Sequence, residues 1–377
     1  MSKSLNKELI NKPNYEDILN ISRRWAHEIQ FQIGMQLLQR IIDGNKAGIA
    51  LSNLAEVIIE TLLPLVESKF SEEYGEIYGA NIAVLAMGKL GARELTFLSD
   101  LDLIFIYEAK FGLDKESSGP KKLAVSQYFN RLANRFVSAL SSLTSEGRLY
   151  DVDTRLRPSG NAGPIASEIN GFHHYQTTKS WTWEHMALTR ARVIATNQPF
   201  NKKLTEIVNS ILRSKRDIAK LTEDVSAMRI RVNAERGTKN SWKLQHVRGG
   251  LIDIQFITQF LQLQHAHECP RILSTDTREA LNQLSKEGYL DTKKADELKD
   301  ATYFFQNIQA LLRLTVGMNR DPEKYPEALR NKLTSQRLDT PDFASLESKL
   351  IKLQKIVYEK YYVNFIERPL SKTHIER

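Results

Sequence analysis

The sequence predicts an α+β protein, mostly helical, with a small mixed-sheet domain between an N-terminal helical segment and a C-terminal helical bundle. Three observations carry this. Apolar residues recur at three- and four-residue spacing over most of the chain. Two short β-branched runs, near 81–87 and 101–107, interrupt that spacing, and beyond about residue 200 no strand-like pattern returns. The expected division is 1–75 helical, 76–200 mixed sheet and 201–377 helical. With 377 residues, 41% of them hydrophobic and 26% charged, the chain can bury a sizeable core and is not disordered in composition.

From about Tyr15 to Lys69 the spacing is helical. Ile18, Ile21, Trp25, Ile29, Ile33 and Leu37 mark one helix. Leu51, Leu54, Val57, Ile58, Leu62 and Val66 mark a second, expected to start at Ser52 with Glu56 close to the capping-box position. Asn81–Met87 and Leu101–Tyr107 are short apolar runs bounded by glycine or polar residues, and so read as buried strands. Lys89–Phe97 between them has room for about two helical turns. Residues 108–122, ending in the charge-rich Asp114–Lys122, read as a polar loop. Helical spacing returns over 123–145 through Leu123, Val125, Phe129, Leu132, Phe136, Leu140 and Leu143. Arg148–Arg157 alternates as a strand does, and Pro158 ends it. Further helices are expected near 202–235, 250–268, 277–286, 291–317 and 342–367, with breaks at Arg236–Asn240, Pro270 and Asn319–Pro322.

The net charge of +8 favours acidic partners: nucleotide phosphates, an acidic protein surface or nucleic acid. Aromatics are not dense around the basic residues, which makes nucleic acid the weakest of the three. A lone cysteine, Cys269, excludes an internal disulfide and fits a reducing compartment; it reads as a small packed side chain. The first residues lack a signal-peptide apolar core, and no stretch reads as the roughly 18 apolar residues a membrane span requires. The expectation is a cytoplasmic protein without a membrane partner.

The chemistry concentrates in residues 86–106. Asp100 and Asp102 stand two apart on a strand and project from one face, with Leu101 and Leu103 turned to the core. Two such charges about 4 Å apart repel by about 1 kcal/mol in water and about 4 at an effective dielectric of 20. A divalent cation reverses that sign, and Mg²⁺ suits it because it takes carboxylate oxygens while keeping positions for water and phosphates. An isolated Asp-x-Asp is usually only an exposed polar pair. Here Gly88 and Gly91 precede it in a strand-to-helix turn that lets phosphate oxygens approach the backbone. A third carboxylate follows: alternation places Asp151, Asp153, Arg155 and Arg157 on one face, either an ion-pair ladder or a grip on a metal-bound triphosphate. Beside the first pair, the second reading prevails. Such a site performs nucleotidyl transfer, with two metals about 3.5–4 Å apart, and Asp153 is the candidate to take the acceptor's hydroxyl proton. Asp100, Asp102 and Asp153 are thus the catalytic and metal-ligand candidates. Gly88, Lys89, Ser99, Arg155 and Arg157 are the nucleotide-binding candidates.

Several other residues invite a chemical reading. Trp183, Met186, Ala187 and Val193, behind an expected helix cap at Ser180, read as core. Glu184 and His185 read as satisfied packing residues rather than a catalytic pair. Arg190 and Arg192 can extend a phosphate surface, although solvated helix-end arginines are commoner. His173-His174 and His265-x-His267 lack zinc-type partners and read as surface. The glycines of His246–Gly250 form either a turn or a close approach to nucleotide.

Four segments together resemble one family. GKLGARELTFLSDLDLIFIY (88–107), YDVDTRLRPSGNAGPIAS (150–167), SWTWEHMALTRARVIA (180–195) and HVRGGLIDIQFITQFLQL (246–263) are similar, in order and separation, to the motifs of the glutamine synthetase adenylyltransferases of the polymerase-beta-like nucleotidyltransferase superfamily. The resemblance runs from about Ser22 to Ile366. In that family two homologous modules share a long chain: one removes AMP from glutamine synthetase by phosphorolysis, and the other attaches AMP from ATP to a tyrosine. The third segment is similar to the adenylylating, C-terminal module. The resemblance implies ATP and Mg²⁺, glutamine synthetase as substrate and a PII-type signalling protein as regulator. It places metal at Asp100, Asp102 and Asp153, and phosphates near Gly88 and Lys89. One departure stands out: the family's Asp-Ile-Glu-Phe is Asp253-Ile-Gln255-Phe here. The alternatives are a nucleotidyltransferase acting on another protein, a nucleotide or RNA, a weakened regulatory module, and the deadenylylating half-reaction.

Overall fold

The computed structural model describes residues 1–9, 14–113, 115–317, 324–334 and 340–369. It is α+β and mostly helical. Helices α1 (Ser2–Leu9), α2 (Tyr15–Leu38) and α3 (Gly44–Tyr74) lead into β1 (Ala80–Ala86), the single turn α4 (Gly88–Gly91), β2 (Leu101–Ala109) and α5 (Val125–Ser141). Three short strands follow, β3 (Val152–Asp153), β4 (Ala166–Glu168) and β5 (Arg192–Ala195), with α6 (Ile169–Thr178) and α7 (Thr182–Leu188) between the last two. The remainder is helical: α8 (Gln198–Leu212), α9 (Ile218–Arg236), α10 (Leu251–His265), α11 (Thr277–Lys286), α12 (Thr292–Thr315), α13 (Glu327–Leu333) and α14 (Phe343–Lys355). Beyond α14 the chain winds on as a π-helix over Ile356–Glu367.

The sheet explains how the core is shared. β1 is antiparallel to both β2 and β5, while β3 and β4 pair parallel to β2. Alternation then sends Ile82, Val84, Leu103, Phe105 and Tyr107 into one cluster with α2, α3 and α5. Ala83, Leu85, Met87, Ile104 and Ile106 enter a second cluster with α6 to α14. β1 and β2 are therefore apolar on both faces, as their near-continuous hydrophobic runs require.

α3 corrects two sequence expectations. It starts eight residues before Ser52, where Asp43 accepts a hydrogen bond from the Lys46 N–H (2.8 Å). Gly44 and Gly48, which blurred the apolar spacing, are there for close packing: a Cβ on Gly44 would lie 2.8 Å from the Asn307 backbone of α12. Ser52 is instead buried, donating to the Gly48 carbonyl (2.8 Å) and receiving the Leu95 N–H (3.4 Å). By length and composition α3 is also the one helix among the described residues that could cross a membrane. In this fold it is a core helix, with Leu54, Ile58, Leu62 and Val66 wholly buried.

The expected strand over Arg148–Arg157 shrinks to Val152–Asp153. Asp153 accepts the Arg155 N–H (2.8 Å), an Asx turn that curls the backbone out of the sheet. Arg157 closes the curl by donating to the Thr154 carbonyl (2.8 Å) and the Gly163 carbonyl (3.2 Å). The helix expected over 202–235 is two helices, because Asp217 caps α9 on the Lys220 N–H (3.1 Å). β4, β5 and α13 were not anticipated, being too short for periodicity to show. The expected break at Asn319–Pro322 lies outside the described residues.

Candidate active site

The turn after β1 shows why glycine is needed where it stands. Gly88 has φ +54, and a Cβ there would lie 2.2 Å from Asp102 Oδ2. At Gly91 a Cβ would lie 1.8 Å from the Arg190 carbonyl oxygen. α4 is four residues long, too short for the helix-dipole role expected of it; what remains is a bare turn lying against Asp102. Two arginines hold it. Arg190 donates to the Gly88 carbonyl (3.1 Å) and to Glu94 (2.6 Å). Arg192 donates to the carbonyls of Gly91 (3.1 Å) and Leu90 (3.0 Å) and to Glu56 (2.5 Å). Neither is a solvated helix-end residue, and Arg190 also lines the cleft that holds Asp100 and Asp102. They are braces.

Asp100 and Asp102 line a cleft of about 310 Å³ together with Gly88, Lys89 and Gln255. Neither carboxylate has a hydrogen-bond or ion-pair partner among the described residues, although Leu101 and Leu103 are fully buried as expected. The Asp102 carboxyl is pushed up to about 6, first by burial and then by the charges of Asp100 and Asp153. Lys89 falls to about 8 through burial and the neighbouring Arg313 and Arg190, with Asp100 pulling it back up. Asp153 stands beside Asp102 in parallel register, but its carboxylate is turned to the Arg155 guanidinium, which holds it below the usual carboxylate range. Among the described residues no three carboxylate, histidine or cysteine side chains therefore close on one point. Asp100 and Asp102 themselves fit a hard divalent cation: oxygen donors, mutually repelling, with no cation bonded to them.

The other candidates divide. Gly88 and Lys89 are in the cleft. Arg155 is close by and paired, whereas Arg157 is spent on the 154–163 loop. Ser99 is turned away, hydrogen-bonded to Thr96 (2.9 Å) and lining a separate cavity with Tyr150 and Asp151. Asp151 itself pairs with Arg148 at the exposed surface, off the face it was expected to share. Trp183, read as core, is half-buried and forms a cleft wall with Met186, Met228, Val232 and Phe256. Periodicity cannot separate an apolar residue facing a cleft from one facing the core.

The remaining readings settle as packing. Glu184 accepts from Tyr175 (3.0 Å) and from the Trp181 N–H (2.8 Å), and His185 lies 2.8 Å from Ser180 Oγ. α7 starts after Trp181, one residue beyond the expected cap. His173 and His174 are exposed, and His265 stacks on Tyr289 at 4.3 Å. Gly249, at φ +76, makes a turn, and its N–H bonds to Asp253 (2.5 Å).

A family model described as glutamate-ammonia ligase adenylyltransferase matches residues 1–207, more than half of the chain. The chain belongs to this family. The matched region carries the turn, both long strands and all three candidate carboxylates. A second model, described as GlnD PII-uridylyltransferase, matches residues 220–322, which hold Gln255 and Arg313. Curated relatives named bifunctional glutamine synthetase adenylyltransferase/adenylyl-removing enzyme include one from Rhodopseudomonas palustris, 40% identical over 358 residues, covering 95% of this chain and 36% of that protein. One from Xanthobacter autotrophicus is 42% identical, covering 90% and 34% respectively. A third, from a Bradyrhizobium species, is 39% identical, covering 98% and 37%. The chain thus spans about a third of the length of the family members it matches.

Proposed function

We propose that this chain is a Mg²⁺-dependent adenylyltransferase that moves AMP from ATP to a tyrosine of glutamine synthetase. The observation that carries the chemistry is the pair Asp100 and Asp102, left without protein partners under the Gly88 turn. The substrate rests on the printed name shared by the relatives. In this reading Asp100, Asp102 and Asp153 hold the metal, and the division 1–75, 76–200 and 201–377 separates a supporting helical layer, the metal site and the opposite wall. When bound, Mg²⁺ neutralises the leaving pyrophosphate and lowers the acceptor hydroxyl's pKa.

The chain's own residues do the rest. Lys89 and the Gly88 backbone face the phosphates. Trp183, Met186 and Phe256 offer an apolar wall to the adenine, and Gln245 and Gln259 supply amides beside it. Phosphate draws Arg155 away from Asp153 by bidentate pairing, which frees Asp153 to take the tyrosine proton. Gln255 faces the cleft where the resembling motif has glutamate, so this site has one negative charge fewer. Regulation by a PII-type protein is the finer expectation that accompanies the second family match, and the cytoplasm is the compartment that fits this substrate.

Incubating the chain with labelled ATP, Mg²⁺ and glutamine synthetase should label a tyrosine of the synthetase. Label on RNA or on another protein alone overturns the substrate. Transfer of the AMP group from adenylylated synthetase to phosphate, giving ADP and free tyrosine, without the forward transfer, reverses the direction.

A further inference from the structure

Gln245 lines both the carboxylate cleft and a second cavity of about 330 Å³. The second is cationic. Arg236 from the end of α9, Lys243 and His246 from the loop before α10, and Arg313 from α12 converge on it, and no aspartate or glutamate among the described residues lines it. Neither Arg236 nor Arg313 is bonded to a carboxylate among those residues. His246 Nδ1 is buried with no hydrogen-bond partner. Burial, followed by the charges of Arg236, Arg229, Lys89 and Arg313, pulls the His246 imidazole below its ordinary pKa.

The walls are preorganised. Trp242 donates to Glu347 (3.0 Å) and stacks on Phe343 at 5.0 Å, with Tyr325 edge-on to it. Gln309 donates to Gln245 (3.3 Å), forming the partition towards the cleft. Cations gathered from three elements around a space this size match a multivalent oxyanion, which guanidinium groups grip bidentately.

The geometry points to a phosphate-class anion site in the helical part of the chain, adjoining the metal cleft across Gln245. Its occupant is a free phosphate or pyrophosphate, or the phosphate tail of a nucleotide, and neither source needs Asp100 or Asp102.

The test is calorimetric titration of the whole chain with inorganic pyrophosphate in a chelator, where the carboxylate pair only repels the anion. Binding is expected, weakened about tenfold or more by Arg236→Gln with Arg313→Gln. Asn240→Asp is the second variant. It keeps the Oδ1 that accepts the Trp242 N–H (2.9 Å), so the loop is retained while a negative charge enters the lining. It too should weaken binding, whereas Asp100→Asn should not. No binding, equal affinity in both cavity variants, or binding that requires Mg²⁺ and Asp100 overturns the site. Metal-free ATP that competes with pyrophosphate, and is weakened by the same variants, assigns the nucleotide tail; ATP without effect assigns the free anion.

Discussion

Two aspartates lie deep in this molecule and meet opposite fates. Asp253, in α10, is wholly buried, receives Arg229 at 2.5 Å and the Gly249 N–H, and also has Arg248 within 4.0 Å. Asp102 is half-buried beneath the Gly88 turn, with two further carboxylates near it and no bonded cation. The first is satisfied from within, so its cost of burial is offset in the folded chain. The second is left destabilised, as the proposed reading requires of a group that a divalent cation joins from solution. Charge alone does not distinguish a structural carboxylate from a functional one; the partner does.

That contrast can be broken experimentally, beginning with the largest effect. Asp102→Asn should lower AMP transfer by about three orders of magnitude, because bound metal contributes several kcal/mol to transition-state charge. Full activity in this variant would remove Asp102 from the site. Asp253→Ala should act the other way. It strands Arg229 in the core and should lower unfolding free energy by about 3–5 kcal/mol in chemical denaturation, while the folded fraction keeps its metal affinity.

A pH comparison sharpens the difference. The folded Asp102 pKa, about 6, lies above its ordinary 3.8, so the metal-free fold favours the protonated form. Its contribution is full below about pH 4 and is lost as pH rises through 6. In a chelator at pH 7.5, Asp102→Asn should therefore melt above the parent, and the gap should close below pH 4. Mg²⁺ should raise the melting temperature of the parent alone. The smallest effect belongs to Gln255→Glu, which adds a carboxylate to the opposite cleft wall. It should tighten Mg²⁺ binding about tenfold or less, read by titration. Unchanged affinity would make Gln255 a wall residue only.

The site's frame was legible because its signals are local. Glycines at 88 and 91, two β-branched runs and aspartates two apart define strand, turn and strand between Ala80 and Ala109. The Arg148–Arg157 segment misled because alternation is only a pattern of residue types; its shape is set by Asp153 and Arg157 bonding back to their own backbone. The start of α3 was misplaced because Gly44 and Gly48 answer to neighbours remote in sequence.

By itself, then, the sequence determined the α+β class, the two central strands, the glycine turn and the pairing of Asp100 with Asp102 on one strand face. Periodicity and backbone stereochemistry act over a few residues, so a linear reading captures them. Only the tertiary structure decided which charges are neutralised. Arg190 reaches Glu94 across 96 residues, Arg192 reaches Glu56 across 136, and α9, α12 and the loop before α10 bring their cations to one cavity. Electrostatic pairing depends on distance in space, and folding alone sets that distance.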